Sequence, residues 1–478
     1  MKKEKIVGLL LLITLFAAPG CKKWLDVKPG TQVDPEQLFN NENGFMDAMY
    51  GAYTIMASKP VYGDQLTMSF LDVLAQRYNC QATPGHLFYQ SSLYNYQDAI
   101  VKTKISQIWD TLYHSIANAN NVLLHIDGRK DVFQPGNYEL IKGEALGLRA
   151  FLHLDALRLF GSAYITNPGK PAIPYVTTVT GGVTPLTTVA GALDSVIKDL
   201  TTASALLSGY KNINPEYLDP ENQLPNAWLN RRQNHFNYYA AEATLARAYL
   251  CKGDKPKALE HALNVINSGK FSFQTTPRIN DFKDRTFIPE HIFALSKFDL
   301  APQVAQYFQA IDVRNLGREY HLTNDYNPGG VIEQLYETGS GGVSDIRYAL
   351  MWSVSGGLSF PNKYWQDAGS SRFRNLVPLI RLPEMYYIAA ECADTETGLG
   401  YLNTVRERRG LAALPAIQDA AILQAEISKE YQKEFYAEGQ LFYYYKRTNS
   451  PVIRFTDIPG SDRVYVLPLP DAELQQRQ

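Results

Sequence analysis

Glu430, Glu434 and Glu438 recur every four residues, a spacing that lines carboxylates along one side of a helix. Arg381, Arg406, Arg408, Arg409 and Arg447 stand in the same stretch as possible partners. Such a set could be an acid/base or anion site. It could equally be ion pairs between helices, and this second reading is preferred for Glu430, Glu434, Glu438, Arg381 and Arg406, because structural networks commonly perturb charge too. Other chemistry has no motif. Gly169-Lys170 ends no phosphate loop, because Tyr164 stands where the first glycine belongs. There is no G-x-S-x-G elbow, no H-E-x-x-H and no calcium loop, and the eight histidines are scattered. No C-x-x-C or H-x-x-x-H spacing occurs, so neither a metal nor a cofactor is expected. A glycosidase carboxylate pair is defined by spatial separation, which spacing along the chain does not show. No enzyme activity is expected.

A different chemistry is offered by aromatic rings on irregular sequence. The tract from Phe271 to Phe373 is rich in turns, with Asn327-Pro328-Gly329-Gly330 and Gly339-Ser340-Gly341-Gly342, and it carries Tyr307, Phe308, Trp352, Tyr364 and Trp365. Tyr89 and Tyr94 lie in a second irregular stretch, Ser58 to Asp98. Rings without a helical period are not explained by a core stripe, and flat apolar faces suit sugar rings. Trp352, Trp365, Tyr307, Tyr89 and Tyr94 are therefore the candidate ligand contacts. Packing of the loops onto the helices is the competing use of the same rings.

The elements that would hold these groups are helical. Apolar residues at spacings of three and four predict helices over 39–56, 105–126, 138–160 and 194–207. Within 235–269, Leu245, Ala246 and Tyr249 precede Gly253-Asp254, and Ala258 and Ala262 follow. That pattern is similar to a tetratricopeptide (TPR) helix–turn–helix, a unit that must stack on neighbours to bury its apolar face. The stretch 374–447 predicts three more helices: one through Leu382, Met385 and Ala389, one through Leu399, Leu402 and Val405, and one capped by Asp419 with Ile422, Leu423, Ile427, Tyr431 and Phe435 on one side. The expected fold is all-α, a TPR-like repeat scaffold with long irregular loop insertions.

The N-terminus carries an address. Lys2, Lys3 and Lys5 precede the apolar run Ile6 to Ala18, too short to span a membrane. Pro19-Gly20-Cys21 follows, so residues 1–20 are expected to be a lipoprotein signal peptide and Cys21 the lipidated residue, although Ala18 stands where such sites usually have leucine. Cys80, Cys251 and Cys392 remain, and three cannot all pair. The net charge of −2 gives no basic field for nucleic acid.

Several runs resemble the SusD/RagB family of nutrient-binding outer-membrane lipoproteins. They are R-L-x-E-x-x-x-x-x-A-E from Arg381, L-N-x-V-R-x-R from Leu402, and E-x-x-x-E-F-x-x-E-G from Glu430. G-E-A-L from Gly143, L-D-x-x-P after Cys21, and the Tyr465-x-x-P-x-P-x-x-E ending are similar to it as well. Leu441 and Tyr444 stand where the family pattern has arginine and aspartate, which marks a sub-branch. The resemblance implies an N-terminal SusD-like region over 21–270 and a C-terminal region over 271–478. It also implies a lipid-anchored protein on the outer membrane, facing the exterior, that captures an oligosaccharide and hands it to a SusC-like TonB-dependent transporter. Peptide capture, as on the RagB side, is the alternative within the family. A TPR scaffold for protein partners and a glycan hydrolase are the alternatives outside it.

Overall fold

The computed structural model describes residues 35–179, 182–213, 227–309, 319–366 and 374–477. The expected signal peptide, Cys21 and the loop from Asn214 to Pro225 lie outside them. The core of the fold is a run of helices: α1 (Glu42–Met56), α2 (Ala99–Ile126), α3 (Asn137–Phe160), α4 (Val189–Leu207), α5 (Tyr238–Lys252), α6 (Lys255–Ile266), α7 (Leu382–Cys392) and α8 (Thr395–Arg408). Each packs on the next, so the stack passes from α6 to α7 across the long insertion. This is the nearest-neighbour logic of a TPR array, and it settles the pairing order that the sequence leaves open.

Polar side chains start these helices. Asp98, Thr188, Asn237, Asp254 and Asp394 each accept a hydrogen bond from a backbone N–H of the first turn. The Asp98 and Thr188 caps explain why α2 and α4 begin earlier than their apolar periods suggest. Helix α3 is buried almost all round, as a helix inside a stack must be. Its polar groups are satisfied separately. The His153 ring bonds to Arg149 O and Val176 N, whereas Asp155 accepts from the Tyr62 hydroxyl and Arg158.

The stretch expected as three helices differs from that reading. It begins with a strand and then forms four helices. Leu376–Arg381 pairs antiparallel with His291–Ser296. After α7 and α8 come α9 (Ala420–Glu434) and α10 (Gln440–Arg447), separated by a tight turn. In that turn Ala437 and Gly439 have φ of 60° and 69°. Buried Asp72 accepts hydrogen bonds from both of their N–H groups, which replaces the helical ladder there. Glu438 is therefore on the turn and not on a helical stripe with Glu430 and Glu434. Ile422, placed on the apolar side from sequence, is 54% exposed.

Apart from a short ribbon of Pro171–Ile173 with Thr187–Thr188, the strands come from the insertion and its exit. We label these β1 (His291–Ser296), β2 (Asn324–Asp325), β3 (Trp352–Ser355), β4 (Leu358–Pro361) and β5 (Leu376–Arg381). β1 and β5 form one ribbon, and β2, β4 and β3 form a small sheet in that order. The β3–β4 hairpin turns on Gly356 and Gly357, with φ of 55° and 75°. A two-residue turn with both φ positive is one that side chains resist, hence the glycine pair. Among the described residues, no helix is long and apolar enough to cross a membrane.

Candidate functional site

The conspicuous charges meet in a buried lattice between the insertion and α8–α9. Arg381 is fully buried and donates to Glu290 (2.8 Å) and Glu434 (2.6 Å), and its Nε reaches Glu438 (2.9 Å). Arg409 also bridges Glu290 (2.7 Å) and Glu434 (2.8 Å). Arg347 joins Asp345 (2.7 Å), Glu430 (2.8 Å) and Glu434 (2.9 Å), and Arg406 joins Glu430 from the rim at 2.9 Å. Lys363 pairs with Glu438, and Lys433 with Glu337 at 2.6 Å. Of the other arginines named from sequence, Arg447 pairs with Glu391 instead, and Arg408 is exposed.

Burial alone would raise these carboxyls; the cations outweigh it. Arg347, Lys433 and Arg406 bring Glu430 down to about 2. Arg409, Arg381 and Arg347 hold Glu434 well below the usual range, and Arg381 and Lys363 lower Glu438. Among the described residues, the buried members balance: Arg347, Arg381, Arg409, Lys363 and Lys433 against Glu290, Asp345, Glu430, Glu434 and Glu438, five of each sign. Charge-balanced, closed to solvent and held in multiple hydrogen bonds, the lattice offers no proton acceptor to a substrate. Its effect is positional.

What it positions is a cleft of about 240 Å³ on the insertion. The short helical turn Ile346–Ala349 forms one wall and carries Tyr348 and Ala349. Asp345 caps that turn and Arg347 ties it to Glu430 and Glu434. Trp352 of β3 lines the cleft too, and the edge-on Tyr436 ring lies 4.8 Å from it. Tyr436 is itself fixed by Asn324 (2.9 Å) and by Arg77, whose guanidinium lies 4.3 Å over its ring. Opposite are Tyr326, 48% exposed, and the polar groups Asp325, Asn327 and Glu333. Partial burial, then Glu333 and Tyr326, raise the Tyr348 phenol. Partly exposed rings beside hydroxyl acceptors make a shallow, wet site suited to a sugar. Two larger hollows, about 340 and 380 Å³, differ: in the first Trp109 is 4% exposed and half-buried Tyr113 spends its hydroxyl on Pro174 O at 2.9 Å, and the second has no aromatic lining.

Of the rings named from sequence, only Trp352 reaches the cleft. Trp365 is half-buried and spends its N–H on Phe308 O at 2.9 Å. Tyr307 is 6% exposed and donates to Asp64; Tyr94 is 4% exposed and donates to Leu74 O. Both are core residues that present no open face, which corrects the expectation for them. Tyr89 is half-buried on its own short helix, outside the cleft lining. Sequence reasoning missed Tyr326, Tyr348, Asp325 and Glu333. The available signal was that Asp325 and Tyr326 directly precede the Asn-Pro-Gly-Gly turn. In the lattice it missed Glu290, Asp345, Arg347 and Lys363, all on the insertion.

Residues 23–250 match a SusD-like family described as starch-binding and associating with the outer membrane, and residues 341–452 match the SusD family. SusD-like protein P2 of Formosa agariphila is 24% identical, over 99% of this chain and 97% of its own length. A SusD superfamily protein of Bacteroides thetaiotaomicron superposes with a TM-score of 0.71 at 22% identity, covering 91% of this chain and 98% of that one. A laminarin-binding SusD-like protein gives a TM-score of 0.61 at 18% identity, with coverage of 91% and 98%.

Proposed function

The chain belongs to the SusD/RagB family, and from that premise we propose that it is a nutrient-binding outer-membrane lipoprotein that captures an oligosaccharide. The single observation behind the choice of site is the open aromatic cleft around Trp352, Tyr348 and Tyr326. Sugar rings would lie against these faces while Asp325, Asn327 and Glu333 accept hydroxyl hydrogens. No bond is broken; the protein binds, then releases its ligand to a SusC-like TonB-dependent transporter. The family description and the laminarin-binding neighbour support glycan as the ligand class. Acyl chains on Cys21, at roughly 0.8 kcal/mol per buried methylene, would hold the protein on the outer face without a transmembrane helix.

Calorimetry of the purified protein against glycans and peptides tests this. A glycan is expected to bind and to be recovered intact. Trp352→Ala should weaken it about ten-fold, the effect of removing a central aromatic contact, with helix content unchanged. An affinity indifferent to Trp352 would show that the site is misplaced. Tight binding of peptides alone would move the protein to the RagB-like role, and cleavage of the glycan would make it a hydrolase.

A further inference from the structure

We propose that the cleft selects uncharged or amine-bearing oligosaccharides and turns away those bearing uronate or sulfate groups. This rests on the cleft being the glycan site. Asp325 and Glu333 are the charged side chains in its lining, and among the described residues no lysine, arginine or histidine lines it. Neither carboxylate is neutralised by a described residue. Asp325 accepts from the Asn79 amide at 2.7 Å and Glu333 from Gly329 N–H at 2.5 Å, both uncharged donors. Among the described residues, no cation forms an ion pair with either.

Nearby cations are committed elsewhere. Arg347 lies beneath the wall but is consumed by Asp345, Glu430 and Glu434. Arg454 turns its guanidinium to Gln334 O (2.8 Å) and Gln432 Oε1 (3.1 Å). Arg77 covers the Tyr436 ring and donates to Gln432 O. The lattice below is balanced in charge, and Arg454 and Arg77, which keep their charges, aim their donors at Gln334, Gln432 and the Tyr436 ring and are not part of the cleft lining. Each carboxylate keeps acceptor capacity for hydroxyls. An ammonium group would gain an attraction there, whereas an anion would meet two like charges with no counter-charge. For like charges about 7 Å apart in aqueous dielectric, two such repulsions together weaken binding about ten-fold. Added salt should erode this discrimination.

The test pairs neutral oligosaccharides with the same oligosaccharides oxidised at C6 to uronates, measured by calorimetry at low ionic strength. Each measurement is repeated with Trp352→Ala and with the double variant Asp325→Asn/Glu333→Gln. Support is a neutral form that binds about ten-fold more tightly than its oxidised partner, with a gap that closes in the double variant and in high salt. If the oxidised form binds equally or better, and still depends on Trp352, charge selection is wrong while the glycan site stands. A gap unchanged in the double variant also overturns the inference. If no oligosaccharide shows Trp352-dependent binding, the glycan site itself falls, and charge selection with it.

Discussion

Replacing Arg381 by Met keeps an apolar stem and deletes a fully buried guanidinium that contacts Glu290, Glu434 and Glu438. Breaking a buried pair from one side costs about 3–5 kcal/mol, because the partner charge stays buried. Here each glutamate retains another cation: Arg409 for Glu290, Arg409 and Arg347 for Glu434, and Lys363 for Glu438. The expected loss is therefore near the lower limit, about 3 kcal/mol. Its pH dependence follows from the depressed carboxyls. In the wild type, Glu434 and Glu438 titrate below their ordinary value of 4.5. Their contribution to stability is present above that value and fades as pH falls through the lowered values. Without Arg381 part of the depression disappears, so the gap between variant and wild type should be full at neutral pH and shrink in acid. Urea unfolding followed by circular dichroism, stepped from about pH 7 down to about pH 2, measures both, because the lowered carboxyls titrate only below the ordinary carboxylate range. A gap under about 1 kcal/mol at neutral pH, the range of exposed pairs, would refute the buried-lattice reasoning. So would a gap that does not narrow in acid. Arg408→Ala, at an exposed position, is the control and should stay within about 0.5 kcal/mol.

Gly439 has φ of 69°, and a Cβ there would lie 2.2 Å from the Leu66 carbonyl oxygen; Gly439→Ala should lower stability by more than about 2 kcal/mol, and an unchanged melting temperature would contradict the tight turn. Burial raises Asp72 from 3.8 to about 7, against Arg77 and the N–H groups of Ala437 and Gly439. The folded chain thus holds this proton more firmly than the unfolded one, and stability is lost as pH rises through that window. Asp72→Asn should flatten that fall in thermal melts, though at some cost to the turn; parallel pH profiles would reject the assignment. Cys21→Ala should move the protein from the membrane pellet to the soluble fraction, and unchanged retention would end the lipoprotein proposal.

Helical periodicity was readable where the stack alone decides the environment, as in α2, α3 and the α5–α6 unit. It failed where a distant partner overrides it. The break after α9 depends on Asp72, 365 residues from Ala437, and no local spacing announces it. Charges behave the same way. The glutamates were visible as a series, yet Asp345, Arg347, Lys363 and Glu290 reach them only once the insertion folds back. Among aromatic residues on irregular sequence, type and spacing do not separate Trp352, which lines the cleft, from Tyr307 or Tyr94, which are buried. Those two were drawn into the core by acceptors, Asp64 and Leu74 O, that the linear sequence does not place beside them.

The same geometry gives the charge-rich C-terminal signature a role in ordering the wall of the proposed binding cleft from beneath. Arg347 and Asp345 sit at the start of the turn that presents Tyr348, and Ile346 N–H bonds back to Arg409 O at 2.9 Å. The wall of the cleft is thus fastened to α8 and α9 through the lattice, and an ordered wall loses less entropy when a sugar lies against it. Opposite, Tyr326 and Asn327 belong to an exposed turn that the lattice does not hold. If the proposed glycan site holds, substitutions on that side should change which glycan is favoured at small cost in stability, whereas substitutions at Arg347 should disturb the fold and the cleft together.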